Sequence, residues 1–288
     1  MQRLEIFQSL WAMERRLPGV PERPVEESFE MVAAAGYAGM GIDLVATDDL
    51  AAARRLRGLY ERHGLGCTIN AFPGTVEELR PVLRMAKDFD ARFVNVIGRV
   101  MPLRVEDMAR VIRAWIVMSE EEGVRVHFET HRNCITNDLF TVVQLLDSVS
   151  DMRLCADLSH MLVDREFWYP IAPENDALIT RLLERSHAFQ GRVASREQVQ
   201  VQVSFPQHAK WFDVFAGWWE RGFRLWRAQA GPDAVLNFLC ELGPPEYAIT
   251  GPDGLELSDR WEEALMIRRR VEAIWSALDG ESVPAQAL

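Results

Sequence analysis

Short β-rich runs alternate with long helical patterns along almost the whole chain, and there are eight of them. They fall at 5–12, 39–45, 66–72, 92–98, 124–131, 152–158, 187–193 and 234–242. Between them, apolar residues recur with the 3.6-residue period of a helix that buries one face. Met108, Val111, Ile112, Trp115 and Ile116 line one such face; Leu139, Val142, Val143 and Leu146 line the next; Ala264, Ile267, Val271, Ile274 and Trp275 line the last. Ala35-Gly36, Gly64, Glu122-Gly123 and Pro244-Pro245 mark turns. Asp48, and Thr75 with Glu78 three residues on, read as helix N-caps. Strands that each feed a helix imply a parallel sheet, and eight is the number that closes a (β/α)8 barrel. A doubly wound open sheet is the alternative, but no GxGxxG follows the first strand. Without a low-complexity linker, the chain reads as a single barrel domain over 1–288 with a tail at 279–288.

One stretch breaks the rhythm. Between the seventh and eighth strands the connection lengthens to an insertion over 194–233. It opens with an alternating Gln-Val run, Gln198 to Val203, which has the pattern of a strand with one wet face. It continues with Trp211, Phe215, Trp218, Trp219, Phe223 and Trp226 at helical spacing. That stripe suits core, or a subunit interface that would make the chain a homo-oligomer, or a lid over a bound ligand.

Composition removes several classes. Glu5 interrupts the apolar run a secretion signal would need, and no stretch approaches the ~18 apolar residues of a membrane span. Cys67, Cys134, Cys155 and Cys240 are scattered without CxxC spacing, which suits reduced thiols in the cytoplasm. Thirty-two basic against forty-three acidic residues leave a net charge of −11. That balance opposes binding to nucleic acid or anionic membrane.

Side chains alternate across a strand, so parity sorts those facing the helices from those facing the barrel interior. In the fifth strand Val126, Phe128 and Thr130 form the outward set, so His127, Glu129 and His131 point inward. In the sixth, Leu154 and Ala156 face out and Cys155 and Asp157 face in. In the seventh, Phe189 and Val193 face out, Gln190 and Arg192 face in, and His187 has outward parity. In the eighth, Asn237 and Glu241 lie opposite Phe238 and Cys240. The fourth adds Asn95 between Val94 and Val96. Glu129, Asp157 and Glu241 therefore converge near the C-terminal ends of their strands, where (β/α)8 active sites assemble. Buried carboxylates repel one another unless a cation sits among them, which points to a divalent metal. The competing explanation is ion pairing with Arg125, Arg153 and Arg192. His127, deeper in the barrel, reads as a core histidine, and His208, in the insertion, as surface.

Phe128-Glu129-Thr130-His131-Arg132, Cys155-Ala156-Asp157-Leu158-Ser159-His160 and Cys240-Glu241-Leu242-Gly243 resemble the xylose isomerase-like TIM barrel superfamily, over roughly residues 4–278. The resemblance implies one divalent ion (Mn2+, Mg2+, Co2+ or Zn2+) held by Glu129, Asp157 and Glu241. The family's fourth ligand is a histidine on the seventh strand. Here parity puts Gln190 in its place, with His187 as the alternative if the strand is irregular. An amide oxygen would shift preference from Zn2+ toward Mn2+ or Mg2+. The resemblance further implies an isomerase or epimerase of a sugar, polyol or keto-sugar derivative, with Glu129 and Glu241 relaying a proton through an enediolate. His131, His160, Arg192 and Asn95 are the candidate substrate contacts. A dehydratase or lyase on the same site and a metal-free ligand-binding barrel are the alternatives. The superfamily's nuclease branch needs more metal ligands than six histidines at these positions supply.

Overall fold

The computed structural model describes residues 1–44 and 49–280. Eight strands run β1 (Arg3–Ser9), β2 (Gly39–Leu44), β3 (Gly66–Ala71), β4 (Val94–Val96), β5 (Val126–Glu129), β6 (Leu154–Ala156), β7 (Ser186–Gly191) and β8 (Val235–Cys240). Each pairs in parallel with the next, and β8 returns to β1 to close the barrel. The helices are α1 (Val25–Ala34), α2 (Asp49–Arg54), α3 (Arg57–His63), α4 (Leu79–Asp88), α5 (Val105–Glu122), α6 (Leu139–Ser148), α7 (Leu158–Asp164), α8 (Pro173–Leu183), α9 (Ala209–Gln229) and α10 (Arg260–Gly280). The fold is thus the (β/α)8 barrel that the alternation predicts.

The helices form where the periodicity places them and end for local reasons. α5 stops at Gly123, whose φ of 67° is the left-handed cap that glycine adopts without a Cβ clash. The Asp138 side chain accepts the Thr141 N–H at 2.9 Å and starts α6. Thr75 and Glu78 are bonded as a capping pair, Glu78 N–H to Thr75 Oγ1 at 3.3 Å and Gly74 N–H to the Glu78 carboxylate at 2.7 Å, one turn ahead of α4. Asp48 lies outside the described residues.

Two separate sets of apolar side chains are buried. The large one fills the space between sheet and helices. The small one, Phe93, Cys155 and Ala188, comes from inward positions and plugs the barrel interior. The inward residues above that plug are therefore held at the C-terminal mouth.

The long connection behaves otherwise than its alternation suggests. Gln198 to Val203 forms no strand. Val201 and Val203 are buried in the main core, and Gln200 is buried because it clamps the Gly243 backbone, donating to its carbonyl at 2.9 Å and accepting its N–H at 2.7 Å. Gln200 and Gln202 are both buried, so the alternation does not mark a wet face, and Gln200 is accommodated there by its two bonds to the Gly243 backbone. The aromatic stripe lies on α9, with Trp211, Phe215, Trp218, Trp219, Phe223 and Trp226 all buried, packed on β7, α8 and α10. It is core, and none of it lines the cavity at the C-terminal mouth.

Candidate active site at the C-terminal mouth

Asp157 ends β6 and at once caps α7. Its Oδ1 accepts the Ser159 N–H at 3.0 Å and the Ser159 hydroxyl, which turns Oδ2 toward the barrel axis. The first turn of α7 then returns His160 beside it, with Nε2 at 3.5 Å from Asp157 Oδ2. On β7, Gly191 lets the strand pass tightly over β8; a Cβ there would lie 2.5 Å from the Phe238 ring. Its neighbours Gln190 and Arg192 are both buried and turned inward, to Glu129 and to Asp157 and Glu241.

Glu129, Asp157 and Glu241 meet as parity predicts, each with an oxygen within 4.8 Å of the others. They are 2%, 0% and 5% exposed. Two full charges at that separation repel by about 3–4 kcal/mol at an effective dielectric of ~20. Among the described residues one arginine pairs with them: Arg192 donates from Nε to Asp157 at 3.1 Å and from Nη2 to Glu241 at 2.8 Å. Its guanidinium lies over the rings of Tyr247, 4.7 Å from the centroid, and Trp11, at 5.7 Å. The ion-pairing explanation therefore holds for Arg192. It does not hold for Arg125 and Arg153, which line a cavity at the opposite, N-terminal end.

One positive charge cannot balance three negative ones. Burial, reinforced by Glu241 and Asp157, pushes the Glu129 carboxyl well above its ordinary range. Burial raises Glu241 to about 8 although Arg192 pulls it down. A fourth inward carboxylate, Asp43 on β2, is raised to about 6 by burial, an effect offset in part by the Asn70 amide at 2.9 Å. Asn70 also donates to Glu241 at 3.3 Å.

The amides form the floor. Asn95 donates to Glu129 Oε2 and, at 3.0 Å, to Asn70; Gln190 donates through Nε2 to the same Glu129 oxygen. Gln190 Oε1 has no partner. The two histidine rings stand with centroids 4.0 Å apart. His131 is tied through Nδ1 to the Arg132 carbonyl, while both nitrogens of the fully buried His160 lack a hydrogen bond. Burial lowers His131 to about 4 and His160 well below the ordinary value, so both rings are neutral at neutral pH.

A cavity of about 550 Å³ opens over this cluster, lined by Glu129, His131, Arg192 and Glu241 with Trp11 and Tyr247. Asn95 and His160, both candidate substrate contacts, are buried and do not line it. Sequence reasoning did not find Asp43, Asn70, Trp11 or Tyr247. For the first two the signal existed, since each alternates with outward apolar neighbours on its strand. The other two lie outside the strands, in connections that carry no parity.

His187 corrects the parity argument without reaching the cluster. Pairing steps from Leu154↔Ser186 to Cys155↔Ala188, so His187 is an extra residue in a bulge. Its ring turns to within 5.9 Å of the His127 ring centroid and lines the N-terminal cavity with Asn237. It is three residues below Gln190 on β7, and it is no alternative to Gln190.

Among the described residues two groups of side chains could hold a metal ion: Glu129 with Asp157 and Glu241, and Glu129 with His131 and His160. Glu129 is common to both.

The family model for the xylose isomerase-like TIM barrel matches residues 29–196, more than half of the chain, and the chain belongs to that family. Among solved structures it is similar to a xylose isomerase-like TIM barrel protein from Mycobacterium smegmatis in complex with magnesium, at 13% identity and a TM-score of 0.63, over 95% of this chain and 97% of that one. It is also similar to a candidate xylose isomerase from Rhodospirillum rubrum (13%, TM-score 0.56, 96% and 99% covered). A third is the probable 3-DHS dehydratase AsbF of petrobactin synthesis from Bacillus anthracis (12%, TM-score 0.53, 96% and 100% covered). At such identities the likeness is one of fold. No curated sequence matches significantly. Among the described residues no helix is long and apolar enough to cross a membrane.

Proposed function

We propose that this chain is a divalent-metal-dependent isomerase or epimerase of a sugar, polyol or keto-sugar derivative. The observation that carries the reading is the pair Glu129 and Glu241, two buried carboxylates facing one cavity at the C-terminal mouth of a closed barrel. The cavity has the size of a small-molecule site. Moving a hydrogen between carbons beside a carbonyl needs one group to take a proton and a group to return it, each with a proton affinity near neutrality. Glu241, raised to about 8, meets that condition. Arg192 fixes its orientation from one side and Asn70 from the other. Asn95 and Gln190 fix Glu129 in the same way. Trp11 and Tyr247 cover the guanidinium.

A divalent cation at Glu129, completed either by Asp157, Glu241 and the unpartnered Gln190 oxygen or by the two histidines, would polarise the carbonyl and stabilise the enediolate. The all-oxygen set suits Mg2+ or Mn2+, and the set with two imidazoles suits Zn2+ or Co2+. A second reading is kept because of the likeness to a dehydratase. The same carbanion could expel a β-leaving group, and the residues would be unchanged.

Turnover in D2O separates these readings. Incubation with a panel of aldoses, ketoses and inososes, followed by NMR, should show deuterium entering the carbon beside the carbonyl. Glu241→Gln should lower that exchange about 10²- to 10⁴-fold. Deuterium in a dehydrated product identifies the lyase; exchange undiminished in Glu241→Gln overturns the proton-transfer assignment.

A further inference from the structure

The three carboxylates differ in what already occupies their lone pairs. Asp157 is engaged at both oxygens: Oδ1 takes the Ser159 N–H and hydroxyl, and Oδ2 takes Arg192. Glu241 is engaged at both oxygens, by Asn70 and by Arg192. The guanidinium therefore stands where a metal shared by these two carboxylates would have to bind. Glu129 is the exception. Its only partners are neutral amides, both on Oε2, and among the described residues no hydrogen bond reaches Oε1.

Beside Glu129 are the two neutral histidines. His160 is 1% exposed, and neither ring nitrogen has a hydrogen-bond partner, an uncommon state for a buried polar group. His131 has its Nδ1 bound to the Arg132 carbonyl, which leaves Nε2 with its lone pair free. That is the arrangement in which a backbone carbonyl orients a metal-ligating imidazole. Asp157 stands 3.5 Å from His160 Nε2, in position to orient that ring likewise. One atom each from Glu129, His131 and His160 lie within 4.8 Å of one another.

We infer that the cation of this protein binds at Glu129, His131 and His160, displaced toward β5 and α7 from the three-carboxylate position, with Arg192 as the built-in counter-ion of Asp157 and Glu241. The inference rests on the proposal that a divalent cation serves the site, and it names which residues hold it. Two imidazoles and one carboxylate with an open fourth position form the donor set of a catalytic zinc-class ion. The ligand it leaves room for is a substrate oxygen at the cavity. Gln190 then has no metal to bind; it is a positioning residue for Glu129.

The test is metal uptake by the stripped full-length chain, measured by equilibrium dialysis with elemental analysis and by the visible spectrum of the Co2+ form. Wild type should take up one equivalent of Zn2+ or Co2+ in preference to Mg2+. His131→Ala and His160→Gln should each weaken uptake at least about tenfold and abolish the Co2+ bands of nitrogen coordination. Glu241→Gln should retain the ion within about threefold, since it removes no ligand. Should His160→Gln not fold, the partly exposed His131→Ala carries the test. Loss of the ion in Glu241→Gln with retention in both histidine variants would return it to the carboxylates and overturn the inference, while the proposed function stands. A wild type that takes up no divalent ion would overturn both.

Discussion

The two ends of the barrel carry similar side chains and treat them in opposite ways. At the N-terminal end Glu5 receives Arg92 at 2.8 Å and Asn237 at 3.4 Å, and both members of the ion pair are partly exposed. Its histidines, His127 and His187, stack behind Phe93 and stay neutral. At the C-terminal end four carboxylates are gathered around one arginine, and Glu129 is buried with no cation of its own. One end pairs its charge where water can still help. The other holds carboxylates that folding alone does not compensate, and it is on this that the proposal of a ligand site rests.

Substitution of the two arginines should separate the ends most strongly. Arg192→Met strands Asp157 and Glu241 and should cost about 3–5 kcal/mol in urea unfolding. Arg92→Met, in a partly solvated pair, should cost about 1 kcal/mol or less. Equal costs would erase the distinction.

Acid and base dependence sharpen it. Glu129 is raised above its unfolded value of 4.5, so the stability of the metal-free protein falls as pH rises through and above that value. One such proton contributes at most about 1.4 kcal/mol per pH unit. Glu129→Gln should make that slope shallower, leaving the share of Glu241 and Asp43, and raise the melting temperature of the metal-free protein near neutrality. A lower melting temperature would show that Glu129 is not strained. At the other end the sign is reversed. His187 is lowered to about 4 by burial, so the unfolded chain takes its proton first and stability is lost as pH falls from 6.5 toward 4. His187→Gln should give a shallower acid limb, the smallest of these effects, measured by melting between pH 7 and pH 4.

Where backbone periodicity decides position, the sequence was legible. The βα alternation located all eight strands, and parity brought Glu129, Asp157, Gln190, Arg192 and Glu241 to one mouth. It failed at His187 because a single extra residue in β7 inverts the facing of what precedes it, and a bulge leaves no compositional trace. The Gln-Val run misled because Gln200, buried and bonded to the Gly243 backbone, alternates with valine as a residue on a wet strand face would. That Arg192 bridges two of the three carboxylates is a matter of where a long side chain ends, which parity does not reach.

The proposed cation at Glu129 is tested most directly by thermal unfolding of the stripped protein, with and without Zn2+ or Mn2+. An ion at 100 times its dissociation constant contributes about 2.7 kcal/mol, about 2–4 °C per kcal/mol for a chain of this class. The melting temperature of wild type should rise accordingly, and that of Glu129→Gln should not move with metal. A wild type whose melting temperature is unchanged by millimolar divalent ion, or a Glu129→Gln that rises as far as wild type, would contradict it.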